Sequence, residues 1–321
     1  MSAAVTIPIA GFKDVYDVPA VEKALQELPA SANEALRAIY EKMVRLGGQR
    51  FTVKPSALPE MQRLFEELPN FTAVLEDIRR HLALCVDSND SIELPPMLLL
   101  GEPGIGKTHF ARKLAELLGT GFGFVPMSSL TAGWVLSGAS SQWKNAKPGK
   151  VFDTFLNGEY ANPVIVVDEL DKASTDGQYD PLGALYELLE QETATRFIDE
   201  FVELPIDASG TVWLATANDA ARIPEPLLNR LAVYEIDPPD DSGSLRIART
   251  IYGEVRNAHD WGRKFPETPS DDTLAKLASL PPREMRRLIH GAFGNAKIAG
   301  RSEVGPDDIQ DGRQRKARIG F

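Results

Sequence analysis

Through roughly the first ninety residues, apolar positions recur at helical spacing, as in Leu64, Phe65, Leu68 and then Val74, Leu75, Ile78, Leu82. The spacing predicts helices over residues 20–28, 33–46, 59–68 and 71–84, broken at Gly47-Gly48 and Lys54-Pro55-Ser56. From Pro95 the pattern changes to short apolar runs alternating with helical stretches. Residues 97–100, 122–127, 164–167, 212–216 and 233–236 read as strands, with helices over 108–118, 151–156 and 182–190 among them. Strands that are apolar on both faces and separated by helices belong to a parallel sheet covered on both sides. The fold class is therefore α/β, a parallel five-stranded sheet flanked by helices. Past the breaker cluster Asp237-Pro238-Pro239-Asp240, strands cease and helices are predicted over 244–255, 271–279 and 283–299. Three regions follow: a helical N-terminal region over 1–90, an α/β region over 91–240, and a helical subdomain over 241–321 ending in the basic tail Arg313, Arg315, Lys316, Arg318.

Composition narrows the functions open to such a chain. Its 46 acidic against 35 basic residues give a net charge of −11, which repels phosphate backbones and disfavours non-specific nucleic-acid or anionic-membrane binding. The lone Cys85 makes no internal disulfide, and His81, His109, His259 and His290 lack metal-ligand spacing. No apolar run approaches the roughly 18 residues of a membrane span, and the N-terminus lacks a secretory pattern, so a cytoplasmic location is expected.

The chemistry concentrates in the α/β region. Gly101-Glu102-Pro103-Gly104-Ile105-Gly106-Lys107-Thr108 matches G-x-x-x-x-G-K-[ST] between a predicted strand and a predicted helix. Its glycines let backbone N–H groups close around phosphate oxygens, Lys107 reaches the terminal phosphates, and Thr108 is placed to hold Mg²⁺. His109 completes the nucleotide-binding stretch. The apolar strand Val164-Ile165-Val166-Val167 ends in Asp168-Glu169, where Asp168 is a second Mg²⁺ residue and Glu169 a candidate to polarise the attacking water. Asn218, after Ala215-Thr216-Ala217, is a candidate to orient that water, or else caps the next turn. Arg230 is a candidate arginine finger supplied in trans, with a surface ion pair as its alternative.

In this order these motifs resemble an AAA+ ATPase, a P-loop NTPase, and residues 71–309 resemble the ATPase module of the Lon protease family. Lys147-Pro148-Gly149-Lys150-Val151 is similar to the family's P-G-[RK]-[IV], and Asp168-Glu169-Leu170-Asp171-Lys172 to its D-E-[IL]-D-K. Asp180-Pro181-Leu182-Gly183-Ala184-Leu185-Tyr186-Glu187-Leu188-Leu189 resembles its D-P-x-x-A-L-L-E-x-L helix. Ala215-Thr216-Ala217-Asn218 and Ile223-Pro224-Glu225-Pro226-Leu227-Leu228-Asn229-Arg230 match A-T-A-N and I-P-x-x-L-L-D-R.

The resemblance implies ATP and Mg²⁺ as cofactors, Asn218 as sensor 1, Arg230 as arginine finger, and the C-terminal helices as a lid with Arg283 at the sensor-2 position. Pro281-Pro282 replace the family's Gly-Val there; Arg286 and Arg287, or a solvated helix face, are the alternatives. It also implies a pore loop in which Trp143 holds the aromatic position and Lys144 replaces an apolar residue, the rival for Trp143 being burial in the core. Tyr179 is a candidate for a second pore loop. Ending at Phe321, the chain leaves no room for the family's Ser-Lys peptidase domain, and no peptidase activity is expected. The expected function is ATP hydrolysis in a ring, a homo-hexamer, that remodels, unfolds or threads a protein partner. A nucleotide-dependent switch or scaffold and a DNA-associated loader are the other readings.

Overall fold

The computed structural model describes residues 9–86, 88–129, 134–173 and 180–310; Tyr179 and the basic tail lie outside them. In chain order come β1 (Ile9–Asp14), α1 (Val18–Glu27), α2 (Glu34–Leu46), β2 (Gln49–Val53), α3 (Gln62–Glu67) and α4 (Thr72–Cys85). The α/β region begins with β3 (Met97–Gly101), α5 (Lys107–Leu118), β4 (Phe122–Pro126), α6 (Trp134–Ser137), α7 (Lys150–Asn157) and β5 (Val164–Asp168). It continues with α8 (Gly183–Leu188), α9 (Gln191–Ala194), β6 (Phe197–Ile198), β7 (Pro205–Ile206), β8 (Val212–Ala217), α10 (Glu225–Leu228) and β9 (Ala232–Ile236). Then follow α11 (Asp241–Asn257), α12 (Asp271–Ala278) and α13 (Pro282–Ile298). Contacts divide the chain into one unit of residues 1–60, 73–101 and 107–236, and another of 61–72, 102–106 and 237–321.

The first unit is built on a five-stranded parallel sheet of order β4-β5-β8-β3-β9. Every residue of β8 is buried, as are Val164 to Val167 of β5, because both strands lie inside the sheet with apolar side chains on both faces. At the edge, β9 alternates in burial and leaves Val233 exposed. Since all five strands run the same way, their C-terminal ends share one edge. The β5–β8 register sets Val167 beside Ala215, and the β3–β8 register sets Leu99 beside Thr216, so Asp168, Thr216 and Gly101 converge there.

The N-terminal region departs from the helices-only expectation, because it also contains an antiparallel pair, β1 with β2. Arg50, on β2, is buried and donates from Nε to the Phe155 carbonyl (2.9 Å) and from Nη2 to that of Leu156 (3.3 Å), serving the C-terminal carbonyls of α7. Asn162 likewise brackets Val53, accepting from its N–H (3.1 Å) and donating to its carbonyl (2.8 Å). Val21, Leu36, Tyr40 and Met43 share one core with Phe155, Phe201 and Trp213 of the α/β region.

Asp199, fully buried beside β6, fixes the segment joining α6 to α7. Its carboxylate accepts from the backbone N–H groups of Gly149 (2.7 Å), Phe201 (2.9 Å) and Val202 (3.2 Å). A Cβ on Gly138, whose φ is +80°, would come within 2.5 Å of the same carboxylate, so only glycine lets the chain pass there. Burial pushes the Asp199 carboxyl up to about 7, against the downward pull of the three N–H donors, while nearby Glu200 adds to the rise. Between its ordinary value near 4 and about 7 the folded state binds the extra proton, so stability falls as pH rises through that window, by up to about 1.4 kcal/mol per pH unit. Asp199→Asn is expected to flatten this slope in denaturant titrations run between these pH values; an unchanged slope would assign it to another group.

The second unit packs α11, α12 and α13 around Tyr252, Phe265, Leu274, Met285 and Phe293. The helices start on side-chain caps: Asp240 accepts from Gly243 N–H, and Ser270 from Thr273 N–H. Asn70 ties this unit's separate pieces, its Nδ2 donating to the carbonyls of Ile105 (3.4 Å) and Asp237 (3.2 Å). Among the described residues, no helix is long and apolar enough to cross a membrane.

Candidate functional site

At the C-terminal edge of the sheet, the first unit gathers five of the residues singled out in the sequence. Lys107, the first residue of α5, is buried and donates from Nζ to the Gly101 carbonyl (2.6 Å) and to Asn218 Oδ1 (2.9 Å). Burial pulls its ammonium below the ordinary lysine value, while the carboxylates of Asp171, Asp168 and Glu169 pull it back up. A buried lysine held among acids is stiffly placed and keeps a charge that a phosphate can exploit.

Thr108 Oγ1 donates to Asp168 Oδ1 at 2.9 Å, which brings together two of the hard oxygen donors that Mg²⁺ prefers. Glu169 follows in the left-handed region, φ 57° and ψ 50°, a conformation costing about 1–2 kcal/mol for a residue with a Cβ. Its N–H donates to Thr216 Oγ1 (3.0 Å), and that hydroxyl donates onward to Asp168 Oδ1 (2.8 Å). Thr216 is 1% exposed and serves both acids at once, a role that no strand pattern reveals because it depends on β8 lying next to β5. Asn218 thus touches Lys107 directly, a partner the sequence reading did not anticipate.

In the second unit the loop 102–106 bends through Gly104 (φ +87°) and Gly106 (φ +107°), angles that L side chains rarely adopt. A Cβ on Gly104 would sit 3.8 Å from Arg283 Cβ, so the first turn of α13 lies against this loop. Of the two alternatives to Arg283, Arg286 is engaged by Glu254 in an ion pair. The hydroxyl–carboxylate pair and the buried lysine together suit the phosphates and Mg²⁺ of a nucleoside triphosphate.

Arg230 follows α10 and makes an ion pair with Glu190, Nε to Oε1 2.8 Å. Its Nη1 donates to the Pro226 carbonyl (2.6 Å), and its guanidinium lies 5.7 Å from the Tyr186 ring centre. The surface ion pair foreseen as an alternative is therefore present in this chain. Trp143 is 41% exposed and does not join the core; its ring meets that of Trp134 edge-on at 5.8 Å. Lys144 follows it on the turn that leads to Gly149 and α7.

Residues 97–237 match the model of the ATPase family associated with various cellular activities (AAA). The AAA region also carries the Lon likeness read from the motifs. The chain is 28% identical over 264 residues to Lon protease 2 of Herpetosiphon aurantiacus, covering 79% of this chain and 32% of that protein. It is 29% identical over 238 residues to the Lon protease of Mesomycoplasma hyopneumoniae, covering 74% and 26%. Against the Lon protease of Metamycoplasma arthritidis, identity is 37% over 157 residues, covering 49% and 19%. The chain spans about a third or less of the length of these curated relatives. In fold it is similar to Hsp104 in the closed-state cryo-EM reconstruction with ATPγS and FITC casein, with TM-score 0.60 and 16% identity over 86% of this chain and 49% of that one. It is also similar to RuvB, the Holliday junction branch migration motor of Thermotoga maritima, with TM-score 0.51 and 16% identity over 78% and 70%. Both likenesses concern the fold, an AAA-type α/β sheet accompanied by C-terminal helices.

Proposed function

We propose that this chain is an AAA-type ATPase that hydrolyses MgATP as a ring of identical subunits, a hexamer, and uses the cycle to unfold or thread a protein partner. The stretch Gly101 to His109 takes the phosphates, Lys107 meets the terminal ones, and Thr108 and Asp168 hold Mg²⁺. Bound Mg²⁺ neutralises charge on the phosphate oxygens. Glu169 accepts the proton of the attacking water, Asn218 keeps Lys107 in place, Arg283 answers the nucleotide from the helical unit, and Arg230 serves the site of the neighbouring subunit. Peptide-bond cleavage forms no part of the proposal.

Thr216 positions both acids in this scheme. Thr216→Val, which keeps the shape and removes the hydroxyl, is expected to lower kcat about tenfold or more with KM for ATP nearly unchanged. It should also raise the Mg²⁺ concentration needed for half-maximal rate, and Thr216→Ser should restore both. Loss of thermal stability with normal kcat would make the hydroxyl merely structural.

The observation that supports threading is the half-exposed Trp143, a large aromatic surface that folding leaves in water. Trp143→Ala is expected to abolish ATP-dependent unfolding of a partner while ATP hydrolysis continues, whereas Lys107→Ala abolishes both. If partner processing survives Trp143→Ala and is lost only with Lys107→Ala, the chain is a nucleotide-dependent switch or scaffold. The net charge of −11 makes a protein partner a better match than DNA.

A further inference from the structure

Beside Trp143 lies a second exposed tryptophan that the motif reading does not use. Trp134, which opens α6, is 39% exposed, and Ile198 on β6 is 52% exposed beside the same cleft of about 790 Å³. The cleft is framed by four carboxylates, Asp180, Glu187, Glu192 and Glu200, against one cation, Arg196. All four acids are exposed, and among the described residues none makes an ion pair. On the other side of the tryptophan pair the lining reverses sign, with Lys144, Lys147 and Lys150 against Asp153. The two tryptophans thus stand on a charge boundary.

The frame beneath this cleft is rigid. Buried Asp199 holds Gly149 N–H on one side and the Phe201 and Val202 N–H groups on the other, while Glu200 N–H donates to the Ser137 carbonyl at 2.6 Å. The segment carrying both tryptophans is therefore stapled to the segment carrying Ile198 and Glu200. An aromatic surface of this kind attracts the ammonium and guanidinium heads of Lys and Arg by cation–π contact, and carboxylates at its rim add to that attraction. An acidic segment would meet like charge on this side.

We propose that the Trp134–Trp143 cleft receives an extended polypeptide segment rich in Lys and Arg, with Trp134 as a second aromatic contact beside Trp143. The proposal rests on the protein-threading reading and names the class of segment that the chain engages first. It is tested with two fluorescent, unstructured peptides of equal length and aromatic content, one Lys-rich and one Glu-rich. Their affinities are measured by anisotropy for the full chain carrying Glu169→Gln in saturating ATP. The Lys-rich peptide is expected to bind about tenfold more tightly at low salt, with the difference shrinking as salt rises. Glu187→Lys with Glu192→Lys should erase the difference, and Trp134→Ala should weaken the Lys-rich peptide several-fold. Equal binding of both peptides that still requires Trp143 overturns the charge proposal and leaves threading standing. Failure of both peptides to bind in any nucleotide state, while the wild-type chain turns over ATP, overturns the threading reading itself. If the double Glu→Lys variant instead changes particle size in sedimentation and leaves the peptide preference alone, the cleft is a subunit interface and the proposal fails.

Discussion

Glu169→Gln is expected to bind ATP with near wild-type affinity and turn it over at least a hundredfold more slowly, a loss of about 2.7 kcal/mol of transition-state stabilisation. The amide keeps the size of the side chain and its backbone hydrogen bond to Thr216, so the left-handed turn after β5 remains. What disappears is the carboxylate proposed to take the proton of the attacking water. The hydrogen bonds that hold Lys107, Thr108 and Asp168 do not involve the Glu169 side chain, which is why affinity should hold while kcat falls. Equilibrium binding of a fluorescent ATP analogue and phosphate release, measured side by side, separate the two quantities. Rapid turnover by this variant would remove Glu169 from the chemistry.

Arg230→Ala is expected to lower ATP turnover about a thousandfold, again with binding retained, because charge opposite the developing equatorial oxygens contributes most to phosphoryl transfer. In this chain the guanidinium is held by Glu190, the Pro226 carbonyl and the Tyr186 face, an arrangement that fixes its stem and keeps a charged head at the end of α10. If the finger serves a neighbour, mixing the variant with wild type in one ring should restore turnover at the variant's own sites. Specific activity of wild type should also fall when the protein is diluted below its assembly range. Activity independent of concentration, with no rescue in mixed rings, would confine Arg230 to its ion pair with Glu190.

The motifs that contain those two candidates were legible before any fold was known because they carry fixed spacing. A phosphate loop must sit between strand and helix, and acids must follow a buried strand, so Gly101 to Thr108 and Asp168-Glu169 could be placed from order alone. The parallel sheet was visible for a similar reason, since β5 and β8 are apolar on both faces. The β1–β2 pair was not, because its partners lie some forty residues apart in sequence, with two helices between them and Gly11 and Lys13 interrupting any alternation. Thr216 stood in a quoted motif, yet its double hydrogen bond exists only because β8 neighbours β5. Asp199 reads in sequence as one more surface acid, and only packing turns it into the buried clamp for Gly149, Phe201 and Val202. Trp134 carried no motif at all; its meaning comes from standing beside Trp143.

The central claim is that ATP turnover by this chain is coupled to mechanical work on a protein. It is tested most directly with a folded fluorescent reporter bearing an unstructured tail, mixed with the wild-type chain and ATP while fluorescence and phosphate release are followed together. The account predicts that fluorescence is lost only while ATP is hydrolysed, and that Lys107→Ala and Trp143→Ala each prevent the loss. Full ATP turnover with the reporter untouched, whatever the charge of its tail, would contradict it.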